Sequence, residues 1–222
     1  MSVWAVIPLK SPESAKSRLS GALNAAQRLR LFYALARRVV DAALHTPGIA
    51  GVTVVTASDA VVAFAQNLGA QCLRLESDHG TAAACTRALH SLPRDDSASV
   101  LFVAGDLPLI SPSALIPLVE LAKNNPLIAI AGDRHRFGTN ALLCAPRGAI
   151  PLCFGEASFA KHLAVAANLG VPAHIVDSAP LSLDIDEPAD LREWQHRLLF
   201  NNQPIDADLQ DCFAAPEAAL QP

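Results

Sequence analysis

Short apolar runs alternate with segments of helical periodicity through the first 131 residues. A compact apolar run is typical of a buried strand, whereas apolar residues recurring every three to four positions indicate an amphipathic helix. The runs predict strands at residues 3–9, 51–56, 71–75, 99–104 and 127–131. The periodic segments predict helices at residues 24–42, from 58 or 59 onward, at 81–92 and at 113–123. This alternation predicts an α/β fold with a mostly parallel sheet.

After Gly132 the rhythm changes. The pattern predicts short strands at residues 140–144, 173–176 and 181–185, a helix at 158–168, and a last helix that begins near Pro188. Periodicity is lost from residue 201. We therefore predict one domain over residues 1–200 and a loosely ordered tail over 201–222.

Composition narrows the classes of partner. The 222 residues carry 17 Lys and Arg against 21 Asp and Glu, a net charge of −4. The chain has no dense Lys/Arg run of the kind that binds nucleic acid, and no apolar run near the roughly 20 residues of a membrane span. Its five cysteines are scattered without a C-x-x-C pair, and the start of the chain lacks the pattern of a secretory signal. We expect a cytoplasmic protein with neither nucleic-acid nor membrane partners.

The loop after the first strand is the first candidate site, because ligands of open parallel sheets bind where loops leave the carboxyl ends of strands. It carries Lys10, Lys16 and Arg18 within nine positions. Three such cations can hold a polyphosphate, although the loop lacks the Walker glycine pattern. The alternative is an ordinary solvated basic loop.

Acidic residues form the second candidate site. Asp106 follows the most strand-like run, and Asp184 and Asp186 would point to one side of an extended segment. Like charges this close need a compensating cation or hydrogen-bond donors, and a divalent metal shared with Asp106 is the simplest explanation, so the pattern favours a Mg²⁺ site. The alternatives are that Asp106 opens a turn and that Asp186 or its neighbour Glu187 caps the following helix, where Asp190 is a favourable first-turn acid.

Two further segments offer groups for an anion. Thr139 and Asn140 follow a glycine directly before a strand, and Gly155 and Ser158 lie at the start of a helix, where free N–H groups favour negative charge. Ser158 could equally be a plain N-cap. We expect the nearby His135 and His162 to lie at the surface or behind the site rather than to bind a ligand.

Five motifs occur together in the chain: PLKSPESAKSRL, AGDLPL, FGTNALL, FGEASFAKH and LDIDEPADL. In this combination the chain resembles the 2-phospho-L-lactate guanylyltransferase family of coenzyme F-420 biosynthesis, over about residues 3–195. The resemblance implies a single-domain nucleotide-diphosphosugar transferase-like (glycosyltransferase-A-like) α/β fold. It also implies transfer of GMP from GTP to 2-phospholactate, phosphoenolpyruvate or 3-phosphoglycerate, with release of pyrophosphate.

Residue roles implied by the resemblance cover both substrates. Asp106, Asp184 and Asp186 hold Mg²⁺. Lys16 and Arg18 contact the phosphates of GTP, and together with Asp106 they form the catalytic set. The substrate-binding set comprises Lys10, Gly80, Thr139, Asn140, Gly155 and Ser158, of which Thr139, Gly155 and Ser158 contact the carboxylate end of the acceptor. Thr81 and Ala82 depart from the Leu-Asn pair that usually follows this glycine in the family.

Two other functions fit the same features. One is a cytidylyl- or other nucleotidyltransferase acting on a sugar acid, and the other is a catalytically inactive nucleotide-binding domain. The oligomeric state is open, with a homodimer as one option.

Overall fold

The computed structural model describes residues 2–13, 15–93, 98–202, 204–205 and 207–213. The strands are β1 Val3–Pro8, β2 Ile49–Thr56, β3 Gln71–Arg74, β4 Ser99–Val103, β5 Leu127–Gly132, β6 Thr139–Ala145 and β7 Ala173–Ile175. The helices are α1 Ala25–Leu44, α2 Asp59–Asn67, α3 Thr81–Ser91, α4 Pro112–Leu121, α5 Ser158–Asn168 and α6 Pro188–Phe200. The single-domain α/β fold predicted from the sequence is confirmed.

The seven strands form one sheet in the order β3-β2-β1-β4-β6-β5-β7. Only β6 runs against its neighbours β4 and β5, and every other pair is parallel. Because β6 is reversed, its first residues lie at the edge where β1 and β4 end. The backbone N–H of Ala104, just after β4, donates to the carbonyl of Asn140. The topology thus brings the segment that begins at Thr139 to the edge that carries the β1 and β4 loops.

Apolar side chains bury both faces of the sheet. One layer packs α1, α2 and α4 on one face, with Phe32, Val61 and Leu115 among its members. The other layer packs α3 and α5 on the opposite face, with Cys85 and Phe159 among its members. This two-sided burial explains why the strands read as continuous apolar runs rather than as alternating patterns.

Polar residues at the helix ends determine where α1 and α6 begin. The Asn24 side chain accepts from the Gln27 N–H while the Gln27 side chain accepts from the Asn24 N–H, a capping box that starts α1. A second capping box joins Glu187 and Asp190 ahead of α6, with Pro188 at the first helical position. The prediction that Asp190 is a first-turn acid is confirmed, and Glu187 is the residue that caps the helix.

Residues 181–185 do not form the predicted strand. Their Leu181, Leu183 and Ile185 are buried as the alternating pattern requires, but Leu181 enters the layer under α1 whereas Leu183 and Ile185 pack with Trp194 of α6. Within the described residues this segment pairs with no strand of the sheet, and its Ile185 N–H donates to the carbonyl of Asp106. The buried alternation therefore arises from packing between two clusters rather than from a sheet.

The predicted tail contains one packed turn. Ala207–Cys212 forms a short 3₁₀ helix, and its Leu209 and Cys212 are buried against α1 and α6. Residues 214–222 of the predicted tail lie outside the described residues. Within the described part of the chain, no helix has the length and apolar character needed to span a membrane.

Candidate active site

A cleft of about 410 Å³ opens at the edge of the sheet where β1, β2 and β4 end. Its walls come from the loop after β1, the start of α3 and the segment after β4. The predicted site residues that line it are Lys10, Lys16, Arg18, Gly80, Asp106 and Asp186. The cleft therefore combines three cations with two carboxylates, although these residues come from three distant parts of the sequence.

Lys16 joins the two carboxylates. Its ammonium donates to Asp106 Oδ2 at 2.5 Å and to Asp186 Oδ1 at 3.2 Å, and its side chain is only 7% exposed. Burial works to lower the pKa of Lys16, but the charges and hydrogen bonds of Asp106 and Asp186 outweigh it and raise the pKa. Lys16 thus remains a cation between two anions. Its backbone has φ of 58°, a left-handed conformation that turns the loop inward ahead of a short 3₁₀ helix.

The other two cations of the loop are placed differently. The Arg18 side chain is 71% exposed and lies 3.7 Å from Glu187 in an ion pair, and Lys10 is also exposed. Both line the cleft and can move toward a ligand at little cost, because exposed ion pairs contribute little to stability. The basic loop therefore has one fixed and two adaptable cations.

Asp184 lies beside this cluster, and among the described residues its side chain forms no ion pair with a cation. Asn140 Nδ2 donates to Asp184 Oδ1 at 3.3 Å and to the Leu181 carbonyl at 2.9 Å. Burial, followed by the negative charge of Asp106, raises the pKa of Asp184 to about 7. Asn140 is thus placed to hold this carboxylate in position.

The predicted three-carboxylate metal set is only partly assembled. Within the described ranges, no group of three or more His, Cys, Asp or Glu side chains is arranged to hold a metal ion. Asp106 and Asp186 do converge on one cation, the Lys16 ammonium, whereas Asp184 is turned to Asn140. Mg²⁺ in nucleotide sites is usually bound by one or two carboxylates together with phosphate oxygens. The pair Asp106 and Asp186 fits that donor set.

Two glycines shape the cleft. Gly80 precedes α3 with φ of 88°, which favours glycine, and its N–H donates to Asp78 Oδ1 at 2.8 Å. Gly105 was not among the predicted site residues, although the AGDLPL motif contains it. A Cβ at Gly105 would lie 2.2 Å from Leu9 Cδ2, a cleft residue. Glycine at this position therefore lets the β1 and β4 loops approach each other, a signal that only tertiary packing reveals.

Thr139, Ser158 and His162 form a second polar group, outside the lining of the cleft. Ser158 Oγ donates to Thr139 Oγ1 at 3.0 Å, and His162 Nδ1 lies 3.1 Å from the same oxygen. Ser158 is 2% exposed and is not the N-cap, which is Ala157 in a left-handed conformation with φ of 51°. The alternative of a plain N-cap at Ser158 is wrong, because its hydroxyl is committed to Thr139.

His162 is fully buried, so a position at the surface is wrong for this residue. Its Nε2 accepts from the Cys153 N–H at 2.9 Å, and its ring packs edge-on against Phe154 with centroids 5.0 Å apart. Burial lowers the pKa of His162 to about 4, with the backbone of Ser158 opposing the shift. His135, by contrast, is exposed as expected.

A family model described as "Guanylyl transferase CofC like" matches residues 3–197 of the chain. The chain belongs to this family. Among the relatives of the CofC-like chain, a phosphoenolpyruvate guanylyltransferase of Rubrobacter xylanophilus is 39% identical over 86% of the chain and 92% of its own length. A phosphoenolpyruvate guanylyltransferase of Chloroflexus aggregans is 33% identical over 85% of the chain and 94% of its own length.

Solved structures share the fold of the CofC-like chain. A nucleotidyl transferase from a Methanothermobacter superposes with a TM-score of 0.67 at 18% identity, covering 90% of this chain and 99% of its own. A CMP:2-keto-3-deoxy-manno-octonic acid synthetase complexed with CTP superposes with a TM-score of 0.62 at 15% identity, covering 90% of this chain and 100% of its own. The nucleotide-diphosphosugar transferase-like fold is therefore confirmed.

In the CofC-like chain the predicted site residues divide into two groups. One group lines the cleft around Lys16, and the other comprises Thr139 and Ser158 beside the exposed Gly155, whose φ is 125°. Asn140 and Asp184 lie between these two groups. Neighbouring residues of β6 point to opposite faces, so Thr139 points toward α5 and Asn140 points toward the segment that contains Asp184. The first residues of one reversed strand thus contact both groups.

Proposed function

We propose that this chain transfers the guanylyl group of GTP to the phosphate of phosphoenolpyruvate and releases pyrophosphate, with Mg²⁺, on the route to coenzyme F-420. The observation that carries the proposal is the Lys16 ammonium between Asp106 and Asp186 in the 410 Å³ cleft. The names of the relatives from Rubrobacter and Chloroflexus support guanylyl transfer and favour phosphoenolpyruvate over 2-phospholactate and 3-phosphoglycerate as the acceptor. The cytoplasmic location and the homodimer stay predictions.

The charges of the cleft suit this reaction. An acceptor phosphate must approach the α-phosphate of GTP although both are anions, so the site has to offset their repulsion. Lys16 can leave its carboxylates for the nucleotide phosphates, and the exposed Lys10 and Arg18 can close over them. Asp106 and Asp186 would then hold Mg²⁺, which supplies charge neutralisation at the phosphates. Asp184 would support that pair from its place beside Asn140.

The second polar group suits the acceptor. Thr139 is half-buried and Gly155 is exposed, so both can contact the carboxylate end of a small phosphorylated acid. Ser158 is 2% exposed and acts through Thr139, which differs from the direct contact implied by the family resemblance. A phosphate monoester is largely ionised at pH 7, because its second pKa is near 6. The nucleophile therefore needs no general base.

The test is a matrix of substrates. The wild-type protein and the variant Asp106→Asn are incubated with Mg²⁺, each of GTP, CTP, ATP and UTP, and each of the three acceptors. Pyrophosphate release and product mass are then measured. We expect wild-type product from GTP and phosphoenolpyruvate, and at least ~100-fold less from the folded variant. The same measurement with EDTA in place of Mg²⁺ tests whether the reaction requires the metal.

Two results would support the other functions. Preference for CTP would indicate a cytidylyltransferase, and it would place the cause near Thr81 and Ala82, which replace the usual Leu-Asn pair at the start of α3. Nucleotide binding without turnover for every acceptor would indicate an inactive nucleotide-binding domain.

A further inference from the structure

We propose that His162 is a positioning residue that makes the Thr139 hydroxyl a hydrogen-bond donor directed out of the protein, toward the carboxylate of the acceptor. The inference rests on the proposed function, in which the acceptor is a small phosphorylated carboxylic acid. It adds a buried residue that the sequence patterns place only at the surface or behind the site.

The partners of the ring determine where its proton lies. The backbone N–H of Cys153 can only donate, so His162 Nε2, 2.9 Å away, must be the acceptor and carry no hydrogen. The ring is neutral at pH 7 because burial lowers the pKa of His162 to about 4. A neutral ring without a proton on Nε2 carries it on Nδ1. Nδ1 therefore carries the hydrogen and donates it to Thr139 Oγ1, at 3.1 Å, with the backbone of Ser158 as a second hydrogen-bond partner of the ring.

The Thr139 oxygen then has two donors and no acceptor among these neighbours. Ser158 Oγ donates to it at 3.0 Å, and His162 Nδ1 donates from the other partner. A hydroxyl has two acceptor lone pairs and one hydrogen, so both lone pairs are engaged and the hydrogen is left for a further group. A donor of this kind favours an anionic oxygen over a neutral amine or a cation.

Burial decides which of the three side chains faces a ligand. His162 is 0% exposed and Ser158 is 2% exposed, whereas Thr139 is half-buried. The edge-on contact with Phe154, which itself packs edge-on against Phe102 of β4, fixes the plane of the His162 ring. Within that plane, the contacts with the Cys153 N–H and with Thr139 Oγ1 distinguish the two ring nitrogens. Only Thr139 can present a hydrogen to the acceptor.

Two substitutions distinguish the roles of the two ring nitrogens of His162. In His162→Gln the side-chain amide extends toward the position of Nε2, so it can accept from the Cys153 N–H but no longer supplies the donor that Nδ1 gave to Thr139. In His162→Asn the amide lies near Nδ1, so it can donate to Thr139 but leaves Cys153 without its acceptor. His90→Gln is the matched control. His90 is an exposed histidine on α3, and its Nδ1 lies 2.8 Å from the Thr86 carbonyl oxygen.

We expect H162Q to raise the KM for phosphoenolpyruvate about tenfold while the KM for GTP changes less than about twofold, the loss of one hydrogen bond to a charged group. H162N should raise the acceptor KM less than H162Q, and H90Q should leave both values unchanged. T139V should match H162Q, and the double variant T139V/H162Q should be no worse than T139V, because both variants disrupt the same hydrogen bond from the Thr139 hydroxyl to the acceptor.

Several results would overturn the proposal. Equal acceptor KM values for H162Q and H162N, a parallel rise in the KM for GTP, or additive effects of T139V and H162Q would each indicate a merely structural histidine. Nitrogen chemical shifts of the His162 ring give a readout that needs no turnover. A proton on Nδ1 between pH 6 and pH 8 supports the proposal, and a proton on Nε2 refutes it. An inactive wild-type protein would contradict the proposed function, whereas the nitrogen shifts would still decide the orientation of Thr139.

Discussion

Replacing Asp184 with Asn is expected to stabilise the metal-free protein. Burial and the charge of Asp106 raise the pKa of Asp184 from 3.8 to about 7. One pKa unit corresponds to about 1.4 kcal/mol, so ionising Asp184 costs the folded state about 4 kcal/mol at pH 8. Asparagine removes the charge, and its Oδ1 can still accept from Asn140 Nδ2, which lies 3.3 Å from the native oxygen.

The sign of the pH dependence follows from the direction of the shift. The pKa of Asp184 is higher in the folded state than in the unfolded state, so the unfolded chain loses this proton first. The contribution of Asp184 to the wild-type free energy of unfolding therefore falls as the pH rises from about 4 to about 7 and then levels off. The gain from D184N should be roughly 2 kcal/mol at pH 5 and about 4 kcal/mol at pH 8.

Urea unfolding in EDTA at pH 5 and pH 8 measures this difference, with Glu156→Gln, an exposed carboxylate, as the matched control. The control should change stability by less than about 0.5 kcal/mol at either pH. An equal gain for D184N at both pH values, or a loss at pH 8, would refute the reasoning. D184N should also lower turnover, because carboxylates that destabilise the fold persist where a cation needs them.

Three further predictions concern Lys16, the glycines and the first helix cap. Lys16→Met should lower turnover about 100-fold and should lower the unfolding free energy by about 2 kcal/mol in EDTA. Mg²⁺ should restore part of the stability, because it replaces the lost cation. A variant with native turnover would contradict this prediction. Gly105→Ala should raise the KM for GTP and should lower the free energy of unfolding by about 1–3 kcal/mol in a urea titration, because its Cβ would meet Leu9. The control Gly21→Ala, with nothing within 4 Å of its Cβ, should change neither value. Asn24→Ala should cost about 1 kcal/mol by the same titration with unchanged kcat, and a change below ~0.3 kcal/mol would argue against the capping box.

Local patterns predicted most of the fold. Three helices begin where the sequence indicates: α1 after Asn24, α5 at Ser158 and α6 at Pro188. Capping residues explain the first and the last, and apolar periodicity alone predicts α5, because both signals act within one or two turns. The order of the strands does not follow from such patterns, and neither does the reversal of β6, because both depend on which edges pair in space.

The candidate site was predicted residue by residue but not in its arrangement. The sequence identified the loop that carries Lys16 and the acids Asp106 and Asp186, yet the separations of 90 and 170 residues between Lys16 and these acids conceal their contact. The alternation that led to a predicted strand at 181–185 was real, but its side chains divide between two clusters. His162 shows the same limit, since nothing in its neighbours along the chain indicates complete burial.

The sequence by itself determined the α/β class, the helix boundaries and the types of residue available at the strand ends, because each of these depends on neighbours within a few positions. The tertiary structure alone decided the environment of each side chain. It made Lys16 a buried cation between two carboxylates, raised the pKa of Asp184, and left Thr139 as the half-buried member of a polar group whose other members are buried. Desolvation and Coulomb interactions depend on distances in space, and these are fixed only when the sheet and its helices pack.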